Sequence, residues 1–243
     1  MLKIRGLKKN FGGLMAIKDL NLDLDKGQLL GVIGPNGAGK TTLLNLITGY
    51  LTPTSGTVSL KDKDITGLKP FEICHLGVAR TFQVVQPFTE MTVMDNVVTG
   101  ALFSDKKSLS VVEARERCID PLQKVGLLEK QDQLAGTLTL GEKKKLELAR
   151  ALATSPNLLF LDEVMAGLTR GEVEEMMDVL TEVSRSGVTI LMIEHLVHVI
   201  LALADHVFVL NFGEELFQGS PDEVMSHPEV IESYLGRPLE QSK

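Results

Sequence analysis

Cysteine is scarce, with only Cys74 and Cys118 among 243 residues. They lie far apart, with no second cysteine or metal-ligand spacing beside either, so neither a disulfide framework nor a zinc site has support. A reducing cytoplasm suits such a chain best. Positive charge is also in deficit: Lys and Arg total 25 against 32 for Asp and Glu, a formal net charge of −7. That balance argues against a general nucleic-acid-binding face. Long apolar runs are missing too. The longest, 196–210, is interrupted by His198, Asp205 and His206 and falls short of the ~20 uninterrupted apolar residues that a spanning helix needs. Any membrane role has to come through a partner. No apolar stretch of signal-peptide length follows the charges of MLKIRGLKKNF, and the expectation is a chain that is not exported.

What remains is an ordinary globular composition, 44% hydrophobic and 23% charged, at a length that suits one large α/β domain or two small ones. Residues 2–7 and 17–24 alternate apolar and polar side chains, the period of half-buried strands. QLLGVIGPNGAGKTTLLNLITG reads as a buried strand over Leu29–Ile33, a glycine-rich turn, and an apolar helix ending near Gly49. The apolar runs 157–163, 188–195 and 206–212 are separated by helical segments, which predicts a mostly parallel sheet covered on both faces. From about 86 to 150 the spacing turns helical, with Val111, Val112, Arg115, Ile119, Leu122 and Val125 as its apolar-face pattern, and predicts an inserted helical subdomain. Val173, Met176, Met177, Leu180 and Val183 predict a helix over 171–186, closed by Gly187, with the methionines as core packing. The terminal PLEQSK reads as a frayed tail.

Gly34-Pro35-Asn36-Gly37-Ala38-Gly39-Lys40-Thr41 matches GxxxxGK[ST] in full, between a predicted strand and a predicted helix, with Thr42 continuing into that helix. This is the context of a true phosphate loop. The glycines let backbone N–H groups turn inward around a β-phosphate, and the helix that follows adds the positive end of its dipole. Lys40 would neutralise the β- and γ-oxygens, and Thr41 would offer its hydroxyl to Mg2+. Asp162 and Glu163 close the apolar run 158–161 as adjacent carboxylates pointing different ways from a strand end. The expected division is Asp162 toward Mg2+ and Glu163 as general base on the water that attacks the γ-phosphate.

With these residues in view, the chain resembles the ATP-binding subunit of an ABC transporter over nearly its whole length. The resemblance implies a P-loop nucleotide-binding domain with a mostly parallel core sheet, an N-terminal antiparallel β subdomain and an inserted helical subdomain. It divides one domain, 1–243, into a core of 1–85 and 151–243 and a helical subdomain of 86–150. Gln83 in ARTFQ stands at the family's Q-loop glutamine, which senses Mg2+ and the attacking water, and His195 in MIEH at its switch histidine, which bonds the γ-phosphate. Phe11 is placed like the aromatic that stacks on adenine, although as a lone aromatic near a strand it also fits a core position.

The signature, usually LSGGQ, reads Leu138-Thr139-Leu140-Gly141-Glu142, where Thr139 keeps a hydroxyl and Gly141 a side-chain-free N–H for the γ-phosphate held by a second subunit. Leu140 stands where glycine is usual. The D-loop region reads Glu163-Val164-Met165-Ala166-Gly167-Leu168-Thr169 where the family often has EP-x-x-GL followed by Asn or Asp, a change expected to loosen it. Lys143-Lys144-Lys145 reads as a solvated helical face.

The resemblance further implies two ATP molecules sandwiched between two such subunits, identical or related, with Mg2+ at Thr41, Gln83 and Asp162. Permease subunits would dock near Gln83 and 84–97, a solute-binding protein would act at one remove, and the subunit would sit peripherally on the cytoplasmic face of the membrane. FGGLMAIKDLNL, GVARTFQVVQPFTEMTVMDNVVTGA and GSPDEVMSHPEVIESYLG are most similar to the ATPases of branched-chain amino acid importers. Importers of urea or short amides share much of the pattern, and a soluble ABC ATPase acting on a cytoplasmic complex would carry the same catalytic groups.

Overall fold

The computed structural model describes residues 1–103 and 109–235, so the tail expected at 238–243 lies outside the described residues. In chain order the strands are β1 (Leu2–Phe11), β2 (Leu14–Leu24), β3 (Leu29–Ile33), β4 (Ser55–Leu60), β5 (Lys63–Asp64), β6 (Val78–Arg80), β7 (Leu158–Asp162), β8 (Thr189–Ile193), β9 (His206–Asn211) and β10 (Glu214–Gly219). The helices are α1 (Lys40–Ile47), α2 (Pro70–Cys74), α3 (Val93–Leu102), α4 (Val111–Lys124), α5 (Leu140–Ala153), α6 (Arg170–Arg185), α7 (Val197–Leu203), α8 (Pro221–Ser226) and α9 (Pro228–Val230). They divide between two compact units, Met1–Pro70 with Leu191–Lys243, and Phe71–Ile190.

The first unit holds an antiparallel sheet in the order β2-β1-β4-β5. The alternation seen at 2–7 continues to Phe11, and Leu2, Ile4 and Leu7 are buried along β1 opposite Leu24, Leu22 and Leu20 of β2. Next to it in the chain comes β3, buried at every position, which pairs in parallel with β9. β10 returns antiparallel to β9. Strands β4, β5 and β10 carry Ser, Gly, Lys and Glu rather than apolar runs, and composition alone left them unread.

The second unit sets β6 parallel to β7, with Val78 opposite Leu158. Its helices begin with side-chain caps that satisfy first-turn N–H groups. Ser110 with Glu113, Thr139 with Glu142, and Thr169 with Glu172 form reciprocal capping boxes on α4, α5 and α6. On α6 the expected face is largely right, with Val173, Met176, Leu180 and Val183 buried and Met177 half-buried. On α4 it is not. Val111, Val112 and Ile119 are exposed, and the buried face is Ala114, Cys118, Pro121 and Leu122, because small residues and a cysteine let α4 approach its neighbours closely. Burial pushes the Cys118 thiol up to about 11 against the pull of Arg117 and Arg115, and raises that of Cys74, so both thiols are poor nucleophiles at neutral pH.

Candidate functional site

In the first unit the glycine-rich loop leaves β3 and enters α1 through backbone conformations that side chains resist. Gly34 has φ +152°, and a Cβ there would lie 2.0 Å from the carbonyl of Leu210; Gly39 has φ +107°, with the Ala16 carbonyl 2.8 Å from the same virtual atom. The loop is braced by its surroundings: the Ala38 carbonyl accepts from the N–H of Gly213 at 2.8 Å, and the Gly213 carbonyl accepts from Lys18 N–H at 3.0 Å.

Lys40 is buried and folds back over the loop, its Nζ donating to the carbonyls of Gly34 at 2.7 Å and Pro35 at 3.0 Å. Asn36, Gly37 and Thr41 are exposed, Thr42 is half-buried and Ala38 is buried. Gly39 caps α1 without a side-chain hydrogen bond, and no acidic residue stands in the first turn, so this helix start carries its positive end toward an anion without a competing carboxylate. Phe11, at the end of β1, is 45% exposed with Lys9 Nζ 5.1 Å from its ring centroid, which removes the core reading for that ring. His195 is exposed in the turn between β8 and α7, next to buried Glu194.

In the second unit the two carboxylates at the end of β7 have distinct surroundings. Asp162 is 2% exposed and receives Arg80 at 2.9 Å on Oδ2, with its backbone N–H donating to the Thr81 hydroxyl. Glu163 follows in a left-handed backbone, φ +51°. Its Oε2 accepts from the Gln83 amide at 2.8 Å, and its carbonyl accepts from Lys144 Nζ at 3.1 Å. The structure thus brings Gln83 and Glu163 together.

Thr139 caps α5, its hydroxyl accepting from Glu142 N–H while the Glu142 carboxylate accepts from Thr139 N–H and pairs with Lys130. The space left by the absent side chain of Gly141 is filled by Glu172: a Cβ there would lie 2.2 Å from Oε1. Leu140 is half-exposed and reaches toward Gly167, whose virtual Cβ lies 3.2 Å from it. In the segment 164–169, Val164 and Met165 are buried, Ala166, Gly167 and Thr169 are exposed, and Thr169 caps α6.

The donors proposed for Mg2+, the Thr41 hydroxyl, the Gln83 amide and the Asp162 carboxylate, are hard oxygen groups of the kind this ion prefers. Among the described residues no group of three or more His, Cys, Asp or Glu forms a metal cage of its own.

The family model described as "ABC transporter" matches residues 17–166. The chain is 38% identical to the "High-affinity branched-chain amino acid transport ATP-binding protein LivG" of Escherichia coli, covering 97% of this chain and 98% of that protein. The chain belongs to the ABC transporter family. This cassette is also 37% identical to BraF of Pseudomonas aeruginosa, a protein of the same description, with the same coverage. A second family model, "Branched-chain amino acid ATP-binding cassette transporter", matches residues 214–239. Among solved structures, the ADP conformation of an ATP-binding cassette of an ABC transporter superposes with a TM-score of 0.89 at 35% identity, covering 98% of this chain and 99% of that one. A nucleotide-free cassette gives 0.87 at 33% identity, with the same coverage. Among the described residues no helix is long and apolar enough to cross a membrane.

Three residues in contact with candidate site residues or their neighbours carry no signal in the sequence. Arg80 gave no signal because a single arginine ahead of the Q-loop resembles any surface arginine. Lys144, in a run expected to be a solvated face, is 5% exposed and bonded to Glu163. Glu147, one turn further along α5, accepts the N–H of Phe82 at 2.7 Å. Burial pushes its carboxyl up to about 7, against the pull of that N–H and of Arg150 and Lys144.

Proposed function

We propose that this cassette is the ATP-hydrolysing subunit of an importer for branched-chain or related amino acids. In this reading it sits peripherally on the cytoplasmic face of the membrane, paired with a second cassette and docked on permease subunits served by a solute-binding protein. The match of residues 214–239 to the branched-chain amino acid model carries the substrate class, since the chemistry of an ATPase site never touches the transported solute.

The loop from Gly34 to Gly39, with Asn36, Gly37, Ala38 and Thr42, wraps the phosphates in N–H groups, and Phe11 stacks on the adenine. Lys40 exchanges the carbonyls of Gly34 and Pro35 for β- and γ-oxygens. Thr41, Gln83 and Asp162 would hold Mg2+, which when bound neutralises charge on those oxygens. Glu163 accepts a proton from water as the water oxygen bonds to the γ-phosphorus and the bridging P–O bond breaks, releasing ADP. Gln83 holds the Glu163 carboxylate in place, and His195 bonds the γ-phosphate. Thr139 and Gly141 of the second cassette complete each site, so one chain supplies half of each.

The test is uptake of labelled leucine by liposomes containing this chain with its permease subunits and solute-binding protein. ATP-driven uptake that vanishes with Glu163→Gln supports the reading. ATP-driven uptake of urea, with none of leucine, isoleucine or valine, overturns the substrate class.

A further inference from the structure

Helix α5 presents the signature at its start, and two side chains one turn further along reach the segments that carry the candidate catalytic groups of the same unit. Lys144 donates from Nζ to the carbonyl of Glu163 at 3.1 Å. Glu147 accepts the N–H of Phe82 at 2.7 Å, and Phe82 immediately precedes Gln83, whose amide donates to the Glu163 carboxylate at 2.8 Å. Glu163 has φ +51°, a backbone conformation that a residue with a side chain keeps only where its surroundings over-determine it. An ammonium group is costly to bury, and its retention needs hydrogen-bond partners; for Lys144 a carbonyl at the head of the D-loop is one. The signature run gives no reason for this pairing.

We infer that Lys144 and Glu147 are positioning residues, which fix from α5 the backbones on both sides of the Gln83–Glu163 hydrogen bond and so aim the general base. This rests on the reading of Glu163 as that base. Lys144 and Glu147 act through Glu163 and Gln83, and tie both to the helix whose first turn meets the partner's nucleotide. The donor at 144 and the acceptor at 147 are what matter, so arginine should replace the first and glutamine the second.

The test uses the full-length chain, with steady-state ATP hydrolysis measured against ATP concentration and binding measured separately with labelled ATP. Lys144→Met, which keeps the aliphatic stem, and Glu147→Leu should each lower kcat about 10–100-fold, as expected when a catalytic group is displaced by a fraction of an ångström to an ångström. KM and the Kd for ATP should stay within about twofold, the pattern of an interaction realised in the transition state. Lys144→Arg and Glu147→Gln should retain most of the turnover. If Lys144→Met fails to fold, the two Glu147 variants decide alone. A kcat within twofold of the parent in a folded Lys144→Met or Glu147→Leu overturns the inference, as do conservative variants that fall as far as the disruptive ones, or a KM that moves in step with kcat. Glu163→Gln separates the two readings. Full turnover by that variant removes the base assignment and this inference with it, whereas an inactive Glu163→Gln beside a fully active Lys144→Met removes this inference alone.

Discussion

The side-chain amide of Gln83 donates a 2.8 Å hydrogen bond to the carboxylate of Glu163. The two residues are distant in the chain but share the second unit, and the contact orients the group assigned to deprotonate water. Gln83→Ala leaves that carboxylate without this donor. We expect kcat for ATP hydrolysis to fall about tenfold or more with little change in ATP affinity, the pattern of a lost orienting contact. Equal loss of affinity and turnover would assign Gln83 to ground-state binding instead.

Lys40 bridges the carbonyls of Gly34 and Pro35, the position from which a point charge can swing to phosphate. Lys40→Ala removes the charge from a loop whose backbone Gly34, Gly39 and Gly213 hold independently. The expected result is weaker binding of labelled ATP by about tenfold or more, one charge-assisted contact contributing roughly 1.5–3 kcal/mol, together with some loss of stability in the nucleotide-free protein, where the Gly34 and Pro35 carbonyls lose their shared donor.

Arg80 and Asp162 form an ion pair with side chains 8% and 2% exposed. Removing one partner of a buried pair costs about 3–5 kcal/mol. Arg80→Met should therefore lower the melting temperature by about 10 °C in a chain of this size, measured by calorimetry without nucleotide. A shift of a degree or less would mean that solvent reaches Asp162.

Glu147 gives a pH dependence of known sign. Its carboxyl lies at about 7 in the folded protein against an ordinary 4.5, chiefly through burial. Between those values the folded state binds more protons than the unfolded state, so this group's contribution to stability is fully present below about pH 4.5 and is lost as pH rises through 7. The full loss is about 3 kcal/mol at most. Glu147→Gln should flatten the stability profile across that range in urea titrations at several pH values, and an unchanged slope would show that Glu147 ionises freely.

The core strands were legible because burial on both faces writes itself as continuous apolar runs: β3, β7, β8 and β9 fall where 29–33, 157–163, 188–195 and 206–212 predicted them. The phosphate loop was legible because its backbone admits glycine at Gly34 and Gly39 and little else. Other features leave no such trace. The buried face of α4 is made of Ala114, Cys118 and Pro121 rather than its valines, since close helix packing selects small residues. Lys144 looked like its neighbours Lys143 and Lys145 because a single buried cation depends on what lies across from it. The bond from Gln83 to Glu163 depends on tertiary placement, which no local pattern encodes, and resemblance alone pointed to that glutamine.

Glu163 is proposed as the base in ATP hydrolysis by this cassette, and the other catalytic roles depend on it. Single-turnover and steady-state measurements on Glu163→Gln, with ATP binding followed in the same samples, test it most directly. ATP binding should be retained and hydrolysis reduced by about 10²–10⁴-fold, the usual contribution of a positioned general base. Hydrolysis at the parent rate by a folded, ATP-binding Glu163→Gln protein would contradict it.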